Sequence, residues 1–171
     1  QESVMAYSTL PKTRRDAVLT LKDGTGSPIT LEIEYEEGNV TFDTPKEAQT
    51  VIRDRGVITT IRKGDSEPAA TGSFSAFFRQ FTDGAEAGSL LDFVNNTGNY
   101  HTNTSTGLSG VPFVEFYCID IVYQVDASSV DAGETAHTAT LSKCVCTASF
   151  TEGDPSSFTI NFTCYGGVAY T

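Results

Sequence analysis

The sequence predicts a mainly β protein, a β-sandwich or partly closed barrel with one short flanking helix and an extended hairpin arm. Three observations lead there. Apolar and polar residues alternate with a period of two along much of the chain, as in strands with one buried face. Turn sequences punctuate these runs. A helix start is signalled clearly at one place, around Ser89. The 171 residues, 39% hydrophobic and 11% aromatic, suffice for one domain with a two-layer core. Residues 1–171 are accordingly read as a single domain, with 45–70 as a hairpin arm and loop.

In order along the chain, Ala17, Leu19 and Leu21 alternate with Val18, Thr20 and Lys22 up to a turn at Asp23-Gly24. Ile29, Leu31, Ile33 and Tyr35 then share one strand face, and Thr30, Glu32, Glu34 and Glu36 the other. Glu37-Gly38-Asn39 turns the chain into a short strand, where Val40 and Phe42 alternate with Thr41 and Asp43. These two strands are expected to pair as a hairpin with one apolar and one acidic face.

The arm follows. Val51-Ile52 and Val57–Ile61 flank Arg53-Asp54-Arg55-Gly56, which gives a second hairpin with a charged tip. Lys46, Arg53, Arg55, Arg62 and Lys63 concentrate basic residues here, in a chain that has only 11. A two-stranded arm has little core of its own and is marginal in isolation, so it is expected to lean on something else. Lys63–Ala70, with Gly64-Asp65 and Pro68, reads as a loop.

Strand character resumes at Gly72–Phe81 with Phe74, Phe77, Phe78 and Phe81. Ser89 caps a short helix in which Leu90, Phe93 and Val94 share a face and Asp92 occupies the third helical position. Asn95–Gly98 ends it, and Tyr100–Gly110 is a polar loop. Phe113–Val125 is apolar on both faces and is expected to be a central strand covered on each side. Ala139–Phe150 is more mixed. Phe158, Ile160, Phe162 and Cys164 alternate with Thr159, Asn161 and Thr163 as a half-buried strand.

Charge narrows the function. Twenty-two acidic against 11 basic residues give −11 and a pI near 4.4, which disfavours DNA binding through a basic patch. No apolar run approaches a membrane span. Met5 to Leu10 is too short and polar for a signal-peptide core. Gln1–Val4 are either residues upstream of Met5 or a cleaved mature terminus.

Chemistry finds no foothold. His101 and His137 lie in or beside loops with no Cys, Asp or Glu at metal spacing. Cys144 and Cys146 point the same way from one strand, a poor geometry for bonding each other, and Cys118 and Cys164 stand alone, so neither zinc nor a local disulfide is indicated. Buried free thiols are expected. Gly24-Thr25-Gly26 lacks the helix and the Lys-Ser/Thr of a phosphate loop. The carboxylates of 32–36 form a regular strand face instead of a glycosidase pair, and Asp126–Asp131 lacks calcium-loop spacing. No cofactor, metal or catalytic residue is assigned, and an enzyme is not expected. Sequons at Asn39, Asn95, Asn103 and Asn161 arise easily by chance in a Thr-rich chain.

The order of elements does resemble a known family. An initial β-hairpin, an arm carrying Arg53-Asp54-Arg55-Gly56, the segment Gly64-Asp65-Ser66-Glu67-Pro68, the strand Thr71-Gly72-Ser73-Phe74-Ser75, a capped helix Ser89–Val94 and a terminal strand Phe158–Tyr165 follow in turn. Over roughly residues 16 to 165 this is similar to the tail tube (major tail) proteins of long-tailed bacteriophages and gene-transfer particles. The resemblance implies homo-hexameric rings stacked into a tube, an inner barrel of strands from every subunit, and a hairpin reaching the next ring. DNA would pass through the lumen without specific binding. Partners would be further copies and tail proteins such as the tape measure and terminator, in a virion assembled in the bacterial host cytoplasm, with no membrane.

On that resemblance, Glu32, Glu34, Glu36 and Asp43 would line an acidic lumen, and Arg53, Asp54, Arg55, Arg62 and Lys63 would form the inter-subunit arm. The alternatives are a solvated strand face and an ordinary exposed hairpin. Two other functions stay open: a secreted or surface β-sandwich binding carbohydrate or protein, which predicts a disulfide such as Cys118 or Cys144 with Cys164, and a related virion ring protein such as a tail terminator.

Overall fold

The strands are β1 (Ala17–Lys22), β2 (Thr30–Ile33), β3 (Gly38–Phe42), β4 (Gln49–Asp54), β5 (Val57–Lys63), β6 (Ala70–Phe77), β7 (Ile119–Val125), β8 (His137–Thr151), β9 (Ser157–Cys164) and β10 (Val168–Tyr170), with the helix α1 (Leu90–Asn95) between β6 and β7. The structure, a computed structural model, describes residues 17–23, 29–33, 38–64, 66–82, 89–98, 117–125 and 135–171. Its main sheet runs β2-β1-β7-β8-β9-β6-β3, with β10 added beside β8, while β4 and β5 form a separate pair. Every pairing is antiparallel. The mainly β expectation with one short helix holds, and the sheet is not closed into a barrel.

Both ends of this strand path feed one core. Leu19, Leu21 and Ile33 from β1 and β2 belong to the same buried cluster as Phe74, Phe158, Ile160 and Phe162 from β6 and β9. The sheet therefore folds over on itself. Phe93 and Val94 of α1 fill the same cluster, and fully burying side chains of this size contributes about 1.5–3 kcal/mol each.

The fold-over is built into β8, the longest strand. Its first part pairs with β7, from His137↔Val125 to Ile119↔Cys144, and with β10 at Ala139, Thr140 and Leu141. Its second part pairs with β9, from Cys144↔Cys164 to Thr151↔Ser157. The register slips at the junction, where Lys143 takes φ +59. An extra residue near the left-handed region is a β-bulge, and a bulge lets one strand turn from one layer into the next.

The helix forms as its sequence predicts. Ser89 caps it, its side chain accepting from the Asp92 amide, and Asn96 closes it in the left-handed conformation. The Asp92 carboxylate accepts the Thr97 hydroxyl at 2.6 Å. Ser89 Oγ also donates to the Phe81 carbonyl at 2.9 Å, which ties the helix to the end of the segment following β6.

Three expectations change. The strands beginning at Ile29 and ending at Asp43 do not form a hairpin with each other among the described residues: β2 pairs with β1, and β3 with β6, at opposite ends of the path. Gly72 makes the second pairing possible, since a Cβ there would collide with the Thr41 carbonyl and lie 2.5 Å from Phe162 Cζ. The central strand β7 is buried mainly on one side, with Ile119, Ile121 and Val125 buried, Tyr123 on that face half-buried and Gln124 on the other exposed. β6 ends at Phe77, so Phe78 and Phe81 lie outside it.

Candidate functional site

The arm is the most exposed element among the described residues. Every residue of β4 and β5 is exposed, including Val51 (41%), Ile52 (46%), Val57 (68%), Ile58 (47%) and Ile61 (59%). Its turn, Arg55-Gly56, has φ of +49 and +85, the two positive values that a type I′ hairpin loop demands. Register sets the faces. Val51 lies opposite Ile61, whereas Ile52 lies opposite Thr60, and the shift after Ile52 places Ile58 opposite Arg53 and Val57 opposite Asp54. The exposed aliphatics thus fall on both sides of the ribbon.

The base of the arm is pinned where it leaves the body. The Gly64 amide donates to the Ala48 carbonyl at 2.6 Å, and Lys63 forms an ion pair with Glu47 at 3.2 Å. Arg53, Asp54 and Arg55 cluster at the tip, and Arg62 and Lys63 at the base, so the expected arm residues do lie on one projecting hairpin. Residues 46–63 hold five basic and two acidic residues, net +3, which leaves −14 on the rest of the chain.

The expected acidic face is not assembled in the same way. Glu32 is exposed on β2, and Asp43 follows β3 at the other end of the strand path. Asp43 is also engaged: its carboxylate accepts the Thr71 amide at 2.6 Å and the Thr71 hydroxyl at 3.4 Å. This locks the end of β3 to β6. Glu34 and Glu36 lie outside the described residues.

Two surfaces went unread in the sequence. On the outer face of β3, β6, β9 and β8, Thr41, Ser73, Asn161 and Thr147 stand in one row, flanked by rows Thr71-Thr163-Val145 and Ser75-Thr159-Ser149. Thr41 Oγ1 and Ser73 Oγ are 3.0 Å apart. These rows carry no charge, and part of them lines an open groove bordered by Asp43 and Tyr165. Alternation revealed each strand, but pairing across four distant strands makes the face.

The second surface is aromatic. Phe78 packs on Phe81, Phe150 and Phe158 with ring centroids 4.6, 5.3 and 5.7 Å away, and Phe81 lies 5.3 Å from Phe150. Phe158 is the buried floor, while Phe81 (49%) and Phe150 (44%) face solvent. The Phe78 amide donates to the Ser156 carbonyl at 2.8 Å, which holds this cluster against the β8–β9 turn and its exposed Glu152 and Asp154.

The four cysteines are free thiols, three of them buried. Cys144 faces Cys164, and the Tyr165 amide bonding the Lys143 carbonyl at 3.1 Å marks theirs as a non-hydrogen-bonded pair, the closer type. The hydrogen bond with Cys164, together with burial, pushes the Cys144 thiol well above its ordinary value, and burial pushes Cys146 up to about 12. Both therefore remain protonated at neutral pH. Among the described residues no group of His, Cys, Asp or Glu is placed to hold a metal ion, and no helix is long and apolar enough to cross a membrane.

No family model and no curated protein matches the chain. Among solved structures, it is similar to a chain in the cryo-EM structure of the anti-feeding prophage (AFP) baseplate, 6-fold symmetrised, with a TM-score of 0.52 and 9% identity over 96% of this chain and 97% of that one. At that identity the likeness is one of fold, and it extends over nearly the whole of both chains.

Proposed function

We propose that the chain is a structural subunit of a phage-tail-like particle, a tube protein whose copies stack as hexameric rings around a bore that passes DNA. The observation that carries this reading is the arm. A hairpin with five exposed aliphatic side chains on its two faces is poorly stabilised alone, and it gains burial only when another molecule covers it. Fold similarity along nearly the whole chain to a component of a 6-fold symmetrised prophage baseplate supports the same assignment. So does the order of elements in the sequence. The role requires no cofactor and no catalytic group.

Within this reading Glu32, exposed on β2, is the described carboxylate that faces the bore. Asp43, tied to Thr71, belongs to the sheet edge and not to the bore. The basic arm supplies register and orientation between copies more than bulk affinity.

Negative-stain electron microscopy of concentrated protein, with size-exclusion chromatography, tests the proposal directly. Rings or hollow tubes are expected. A monomer at every concentration overturns self-assembly and favours a monomeric binding module.

A further inference from the structure

Resting on the self-assembly reading and going beyond it, we infer that the arm tip of one copy docks on the aromatic patch of a second copy. The two surfaces match in character. The tip offers Val57 and Ile58, exposed aliphatics, beside Arg53 and Arg55. The patch offers Phe81 and Phe150, exposed rings over a buried Phe158, beside the exposed carboxylates of Glu152 and Asp154, which outnumber the one exposed cation next to it in sequence, Arg79.

Charge selects the partner. An arm of net +3 on a chain whose remainder carries −14 is complementary to the body of its own kind, and like charge disfavours contact between two arms. Apolar contact then adds to steering, because aromatic rings in a patch anchored on a packed floor are the usual centre of a binding surface.

The contact joins different regions of the two copies. Repeated head to tail it is heterologous, and such a contact gives a ring when the rotation closes and a filament when it does not. Made reciprocally between two copies, the same contact gives a two-fold dimer. This explains how one chain supplies both halves of a repeating joint without a second protein.

A charge-reversal pair tests the assignment. Arg53→Glu with Arg55→Glu converts the tip, and Glu152→Arg with Asp154→Arg converts the patch. All four positions are exposed, so circular dichroism should show an unchanged β spectrum. Each double variant alone should need more than tenfold higher concentration to assemble, read by analytical ultracentrifugation at low salt. An equal mixture of the two should assemble again, since each arm then finds a complementary patch. Raising the salt should weaken both the wild-type contact and the mixed one.

Double variants that assemble like the wild type, or a mixture that stays dispersed, overturn the arm-to-patch contact and leave the subunit proposal standing. Wild-type protein that never associates overturns both.

Discussion

Asp120 on β7 accepts the backbone amide of Lys143 at 2.9 Å, across the point where β8 slips register against β7, just before its pairing with β9 begins. The carboxylate thereby satisfies an N–H that the bulge withdraws from the ladder. A hydrogen bond to an ionised acceptor in a half-buried site contributes about 1.5–3 kcal/mol. Asp120→Ala should lower the unfolding free energy by that amount, and Asp120→Asn by less. Urea denaturation followed by circular dichroism measures both, and an unchanged midpoint for Asp120→Ala removes the clamp from the account.

Gly72 and Gly56 should respond differently to alanine. At Gly72 a Cβ meets the Thr41 backbone and the Phe162 ring, and overpacking of this kind costs about 1–3 kcal/mol of global stability. At Gly56 nothing lies within 4 Å, but φ is +85, so the cost is backbone strain of about 1 kcal/mol. That strain falls on an arm outside the core. Gly72→Ala should shift the denaturation midpoint, while Gly56→Ala should leave it in place and speed amide exchange in β4 and β5. Equal shifts in midpoint contradict the arm's independence.

Loss of the helix cap should be felt beyond the helix. Ser89→Ala removes the acceptor for the Asp92 amide and the donor to the Phe81 carbonyl. A cap of this type contributes about 1 kcal/mol, and the second bond raises the total toward about 2 kcal/mol. Ser89→Thr should retain most of it. Thermal unfolding of both variants checks the order.

The thiols predict an alkaline limit. The folded pKa of Cys146 is pushed up to about 12 by burial from an ordinary 9.0, so folding favours its protonated form. Its contribution is fully present below pH 9 and declines as pH rises toward 12. Cys144 is shifted in the same direction and its hydrogen-bonded partner Cys164 in the opposite one, down to about 7, so the pair does not add to the slope assigned to Cys146. Unfolding free energy should fall between these pH values, and Cys146→Ala should flatten part of the slope. A slope identical in the two proteins removes Cys146 as the cause.

What the sequence revealed depended on distance along the chain. The arm was legible because Val51-Ile52, the tip and Val57–Ile61 are contiguous, and the helix because Ser89 and its apolar face lie within two turns. Alternation in Phe158–Cys164 matched its burial for the same reason. Pairing was less legible. Glu37-Gly38-Asn39 has hairpin turn chemistry, yet β3 joins β6, thirty residues on, where Gly72 leaves room for it. Turn residues report that the chain turns, not which strand it then meets. The hydroxyl rows, the Phe78 cluster and the Cys144–Cys164 pair all join residues distant in sequence, and no local pattern contains them.

The bulged β8 has a mechanical consequence. One continuous strand belongs to both layers, gripped by β7 and β10 at one end and by β9 at the other. A pull along that strand, tending to slide one layer past the other, loads the flanking ladder bonds in shear, where many must yield together. The same force applied crosswise at an edge strand would peel bonds one at a time. The chain should therefore resist a pull along β8 better than a crosswise pull at β2 or β3, where the strand path ends.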